Sequence, residues 1–119
     1  MATILVVEDT LTEAEIITGT LRKAGFTALA AGSSEEARTK IGQQKPDAIV
    51  LDVVLPGISG FEFCRELKDD PATAAIPVVL CTTKNTEMDR FWGLKQGAAS
   101  FVAKPINEAE LLKAVKSVI

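Results

Sequence analysis

Glu8, Asp9, Asp52, Thr82 and Lys104 each close or follow a short apolar run, and together they hold the groups that a phosphoryl-transfer site needs. Asp52 is the most demanding of them. It ends the run Ala48-Ile49-Val50-Leu51 and precedes Val53-Val54-Leu55-Pro56-Gly57. A lone ionised carboxylate in such company is costly unless it is paired, bound to metal or left at a wet edge. Three carboxylates against one lysine leave an excess of two negative charges. A divalent cation relieves that repulsion, and all-oxygen ligands favour a hard ion such as Mg2+, which takes one or two carboxylates from protein and keeps several waters. A carboxylate beside Mg2+, with an ammonium and a hydroxyl near it, suits in-line attack on a phosphoryl group. The cation, Lys104 and Thr82 then neutralise the equatorial oxygens, and Asp52 becomes an aspartyl phosphate.

That chemistry requires the five residues to meet, and the hydrophobic pattern says how. Thr3-Ile4-Leu5-Val6-Val7 is a short strand ending in Glu8-Asp9. Thr10 with Glu13 reads as a capping box, opening a helix with Leu11, Ala14, Ile17 and Leu21 at helical spacing and Gly25 as its stop. Phe26-Thr27-Ala28-Leu29-Ala30 reads as a weaker strand, and Ser33 with Glu36 as a second capping box for a helix through Ala37 and Ile41 to Gly42. The run ending at Asp52, bounded by Lys45-Pro46-Asp47 and Pro56-Gly57, has the composition of a central strand buried on both faces.

The second half repeats the alternation. Gly60 to Asp69 is an amphipathic helix with Phe61, Phe63, Cys64 and Leu67, ended by Asp70-Pro71. Pro77 to Thr82 is the fourth strand. Thr86 to Gln96, with Met88, Phe91, Trp92 and Leu94, is the fourth helix, stopped by Gly97; core packing is expected to account for most of Met88, Phe91 and Trp92, with one exposed aromatic available to a partner. Ser100-Phe101-Val102-Ala103 is the last strand, stopped by Lys104-Pro105. Asn107 with Glu110 opens a final helix carrying Leu111, Leu112, Val115, Val118 and Ile119 on one face. Strands alternating with helices imply right-handed crossovers and a mainly parallel sheet covered on both faces, with the functional site beyond the carboxyl ends of the strands. The five residues all belong to that edge.

Composition excludes several other classes. The 119 residues are enough for one core and correspond to one domain over 1–119. A net charge of -3 argues against a nucleic-acid face, which is normally basic. No apolar run is long enough to span a membrane, and the first residues lack the basic start of a secretory signal, so a cytoplasmic protein is expected. Cys64 and Cys81 read as free thiols in apolar surroundings. With no histidine in the chain, Ser-His-Asp and Cys-His catalysis are excluded, and any phosphohistidine used must belong to a partner.

The acidic pair Glu8-Asp9, Asp52 followed by Leu55-Pro56-Gly57, Thr82, and Phe101 three residues before Lys104-Pro105 resemble the signature of response-regulator receiver domains, the CheY-like fold of two-component signalling. The resemblance covers essentially the whole chain. It implies a flavodoxin-like (βα)5 architecture, a doubly wound parallel five-stranded sheet with helices on both faces. It assigns Glu8 and Asp9 to the Mg2+ pocket, Asp9 as the more direct ligand, with Asp52 as phosphoacceptor and ligand and the backbone carbonyl of Val54 completing the set. Thr82 and Lys104 would contact the phosphoryl group, and Phe101 would act as the switch. Pro105 is either a plain turn proline or carries the cis peptide bond the family has there. A narrower likeness, in Ala75-Ile76-Pro77-Val78-Val79, Cys81-Thr82-Thr83-Lys84 and Arg90-Phe91-Trp92-Gly93-Leu94-Lys95-Gln96-Gly97-Ala98, is to stand-alone regulators of type IV pilus twitching motility and phototaxis.

The resemblance implies a sensor histidine kinase or phosphotransfer protein as donor, and an output through a protein-binding surface of the fourth helix, fifth strand and fifth helix, with no effector domain. The chain is then no enzyme beyond its own phosphotransfer and autodephosphorylation. A phosphate sink and a phosphorylation-independent binding domain remain open alternatives. Phe101 stands where many receivers have tyrosine, so coupling must rely on packing and on movement of Thr82. Val54 and Lys84 occupy the two positions that tune phosphate lifetime, and neither offers an acid or amide to position water, which implies slow self-dephosphorylation. A haloacid-dehalogenase-type hydrolase would have a second acid where this chain has Val54, and an FMN carrier would have a hydroxyl- and glycine-rich loop in place of Glu8-Asp9.

Overall fold

The computed structural model describes residues 2–119. Five strands alternate with five helices: β1 (Thr3–Val7), α1 (Leu11–Lys23), β2 (Thr27–Ala31), α2 (Ser34–Gln43), β3 (Ala48–Leu51), α3 (Gly60–Asp69), β4 (Val78–Thr82), α4 (Glu87–Lys95), β5 (Ser100–Ala103) and α5 (Glu108–Val118). The strands form one sheet in the order β2-β1-β3-β4-β5, and every pairing is parallel.

The two-residue period of a strand splits each apolar run between two cores. Leu5, Val7, Ile49, Leu51, Val78 and Leu80 face α2 and α3. Ile4, Val6, Val50, Val79, Cys81 and Val102 face α1 and α5. Both faces of β3 and β4 are therefore buried, which is why their sequences are continuous apolar runs without alternation.

Helix ends explain where the expected boundaries moved. The second strand starts at Thr27, one residue later than the sequence implied. Phe26 instead closes α1: its N–H bonds to Leu21 O at 3.1 Å and the Gly25 N–H to Arg22 O at 3.0 Å, with Gly25 at φ 95°. This Schellman turn uses up Phe26 before the ladder begins. At α2 the Ser33 hydroxyl accepts the Glu36 N–H, but Glu36 returns to Gly32 N–H, so only half of that box forms. Ser59 caps α3 and Asn107 caps α5. A full capping box occurs between Thr86 and Asp89 of α4, where the sequence reading placed none.

Two apolar groups are not where periodicity put them. Leu11 is 73% exposed, although it shares the helical spacing of buried Ala14, Ile17 and Leu21. In α4, Met88, Phe91, Trp92 and Leu94 are all exposed and Gly93 is the buried residue, which corrects the expectation that core packing accounts for them. A Cβ on Gly93 would lie 2.6 Å from Leu80 and 3.4 Å from Phe101, so α4 rests its backbone directly on the sheet. Its large side chains then have only the outward face left. In α5, Leu111, Ala114 and Val115 are buried, while Ile119, just past its end, is exposed.

Candidate functional site

The sheet's connections reverse direction between β1 and β3, and an open α/β sheet presents its ligand crevice at that point, outside the carboxyl ends of the strands. The ladders run one residue past the strands there. Glu8 N–H donates to Ala31 O at 2.9 Å, Asp52 N–H to Val7 O at 3.1 Å, and Lys104 N–H to Thr82 O at 3.0 Å. The backbones of three site residues are thus held by the sheet itself. Gly60 presses the start of α3 against the same place: its N–H donates to Val53 O at 2.8 Å, and a Cβ there would lie 2.0 Å from Asp52 O. The sequence marked Gly60 only as the start of a helix.

The side chains converge on Lys104. Its Nζ contacts a Glu8 oxygen, lies 3.0 Å from Asp52 Oδ2 and 3.2 Å from Glu13 Oε2, and the lysine side chain is 3% exposed. Asp52 Oδ1 accepts the Val54 N–H at 3.1 Å, and Glu8 Oε2 accepts the Thr10 N–H at 3.1 Å. Thr82 is fully buried and its hydroxyl accepts the Lys84 N–H at 3.2 Å. Asp9 is exposed, and carboxylate oxygens of Glu8, Asp9 and Asp52 lie within 4.8 Å of one another. Val54 and Lys84 are exposed. Phe101 is half-buried on the α4 side of the sheet, with the Arg90 guanidinium 4.9 Å above its ring. The Lys104–Pro105 peptide bond is cis.

Glu13 is the site residue that sequence reasoning missed. It was assigned to a capping box with Thr10, but Thr10 makes no side-chain cap, its N–H goes to Glu8, and Glu13 turns to Lys104. The signal in the sequence was slight: Glu13 stands in the first turn of α1, the helix that directly follows the acidic pair. The count at the site therefore rises to four carboxylates against one ammonium.

Burial and partners divide these charges unequally. Burial pushes Glu8 up to about 7, although Lys104 and the Thr10 N–H both favour its ionised form. Burial also opposes ionisation of Asp52, but there Lys104, Thr82 and the Val54 N–H outweigh it and hold the carboxyl below its ordinary value. Lys104 is raised, because contact with Glu8 and Asp52 more than offsets the burial of its charge. Among the described residues every buried side-chain nitrogen and oxygen has a partner, so the case for a cation rests on charge and donor type rather than on an orphaned atom. Three carboxylates that one lysine cannot neutralise, all offering oxygen, fit a hard divalent ion.

The profile of the family described as "Response regulator receiver domain" matches residues 4–116. The chain belongs to that family. This receiver domain is 41% identical over 119 residues to Protein PilH of Pseudomonas aeruginosa, covering 100% of this chain and 98% of PilH. It is 39% identical over 117 residues to the phosphate regulon transcriptional regulatory protein PhoB of the same organism, but spans only 51% of PhoB's length. Among solved structures, a response regulator from Chloroflexus aurantiacus superposes with a TM-score of 0.94 at 36% identity, covering 98% of this chain and 96% of that one. The chemotaxis protein CheY4 of Vibrio cholerae superposes at 0.93 with 29% identity, covering 100% and 99%. The receiver domain is thus a component of two-component signalling with the CheY-like, flavodoxin-like fold, homologous over its full length to PilH. Among its described residues no helix is long and apolar enough to cross a membrane.

Proposed function

We infer that Asp52 is the phosphoacceptor of this receiver domain. The observation that carries the reading is the meeting of Asp52, Lys104 and the Glu8-Asp9 pair at the reversal point of the sheet. A carboxylate oxygen of Asp52 attacks phosphorus, an O–P bond forms, and the bond to the donor's leaving group breaks with its electron pair on that group. Sheet-anchored Asp52 is kept ionised for this attack, and Lys104 stands beside it to pair with a phosphoryl oxygen as charge accumulates. Glu8, Asp9, Asp52 and the Val54 carbonyl would hold Mg2+. When bound, the ion supplies the positive charge that lets a phosphoryl group enter an acidic site.

The donor is a sensor histidine kinase or a phosphotransfer protein, since this chain has no histidine of its own. In the phosphorylated state the Thr82 hydroxyl leaves the Lys84 N–H for the phosphoryl group, and Phe101 leaves its place against Gly93 for the space Thr82 vacates, shifting the population of two packed arrangements. The output surface is that of α4, β5 and α5. There Met88, Phe91 and Trp92 are exposed, and a groove of about 340 Å³ runs past Arg90, Phe101, Glu110 and Lys113. Full-length similarity to PilH, together with the sequence's likeness to pilus-motility regulators, favours a partner in the control of type IV pilus movement.

Intact mass after incubation with Mg2+ and acetyl phosphate tests the assignment. One added phosphoryl group, labile to hydroxylamine and lost in Asp52→Asn, is expected. A folded protein that gains no mass at saturating Mg2+ would instead be a partner-binding domain that works without phosphorylation.

A further inference from the structure

We propose that Glu13 is a positioning residue for phosphoryl transfer, competing with the incoming phosphoryl group for Lys104 and so setting how readily the domain is phosphorylated. This rests on Asp52 being the phosphoacceptor.

Lys104 carries three N–H donors, and carboxylates of three residues, Glu8, Asp52 and Glu13, surround its Nζ. A phosphoryl oxygen that reaches the ammonium while Asp52 is still attacking competes with these carboxylates, of which Glu8 and Asp52 are hydrogen-bonded to Nζ and Glu13 is held by charge at 3.2 Å. Glu8 is 1% exposed and also tied to the Thr10 N–H, and Asp52 is the nucleophile. Glu13 is 39% exposed at the mouth of the site, so its carboxylate alone can move into water at little cost. The Glu13 charge, 3.2 Å from the ammonium, also opposes both an anionic donor and the phosphoryl product. With acetyl phosphate, an Asp52 oxygen bonds to phosphorus, the P–O bond to acetate breaks, and acetate leaves with the electron pair. The phosphoryl group stays on Asp52, near Glu13.

The test uses the full chain at saturating Mg2+, comparing wild type with Glu13→Gln, Glu13→Asp and Glu15→Gln. The rate of adduct formation from acetyl phosphate is read by intact mass, and the affinity for the phosphoryl mimic beryllofluoride by calorimetry. Glu15 is an exposed acid of α1 with no contact to Lys104, so its variant controls for net charge. The Glu13→Gln variant is expected to react about three- to tenfold faster and to bind the mimic tighter by a similar factor. Glu13→Asp, which keeps the charge, is expected to fall between it and wild type, and Glu15→Gln to match wild type. Raising salt to about 0.5 M narrows the gap, as expected for a partly exposed charge. A Glu13→Gln variant that equals wild type, or reacts more slowly because Lys104 needs Glu13 for support, overturns the proposal alone. Wild type that gains no phosphoryl group overturns the assignment of Asp52 and this proposal with it.

Discussion

Lys104 at the end of β5 places its Nζ 3.0 Å from Oδ2 of Asp52 at the end of β3, reaching across the intervening β4. Strands two apart lie roughly 9.6 Å from each other, so only a long side chain closes the gap. Removing it strands at least two buried carboxylates together. Lys104→Met is expected to destabilise the metal-free protein by about 3 kcal/mol in urea denaturation, with Mg2+ restoring part of the loss. The same variant is expected to lose phosphorylation by acetyl phosphate by on the order of a hundredfold. A variant as stable as wild type without metal would mean that the carboxylates separate on their own.

Glu8 sets a pH dependence whose sign follows from the direction of its shift. Its folded pKa, about 7, is above its ordinary value, so the folded state holds that proton more tightly than the unfolded chain. The resulting stability is full below about 4.5 and is lost as pH rises towards 7. Metal-free wild type, compared with Glu8→Gln, is expected to lose on the order of 1–3 kcal/mol across that window. Mg2+ requires the ionised form, so its affinity is expected to rise with pH until Glu8 has titrated. A wild-type stability curve parallel to that of the variant would refute the shift.

Gly60 leaves no room for a side chain beside Asp52. Gly60→Ala is expected to cost about 3 kcal/mol and to slow phosphorylation, because the backbone of Asp52 must move to admit the methyl group. Thermal melts and adduct rates check both halves.

Val54 and Lys84 are exposed beside the site and carry neither an acid nor an amide that could position water. The phosphorylated protein is expected to be long-lived, and Val54→Asn with Lys84→Glu to shorten its lifetime by on the order of tenfold. Equal lifetimes, followed by intact mass after removal of donor, would count against this.

Burial raises the Cys64 thiol to about 11 and Cys81 to about 12. Neither is expected to react with a thiol reagent at pH 7 until the protein is unfolded in urea, when both should react. Rapid labelling of the native protein would contradict their buried positions.

Alternating apolar runs and helical segments were enough to establish five strands, five helices and a parallel sheet, because strand and helix periods survive in the residue order. They were also enough to place Glu8, Asp9, Asp52, Thr82 and Lys104 at one sheet edge, since each follows or closes a strand. Only the tertiary structure decided that β1 and β3 are neighbours, which brings the acidic pair to Asp52. It also sent Glu13 to Lys104 instead of a helix cap, because the Thr10 N–H is already taken by Glu8 and the nearly buried ammonium draws the remaining carboxylate. Periodicity shows which residues share a helix face but not whether that face is covered. Thus Leu11, Met88, Phe91 and Trp92 read as core in the sequence yet face solvent, and Gly93 is what packs against Leu80 and Phe101.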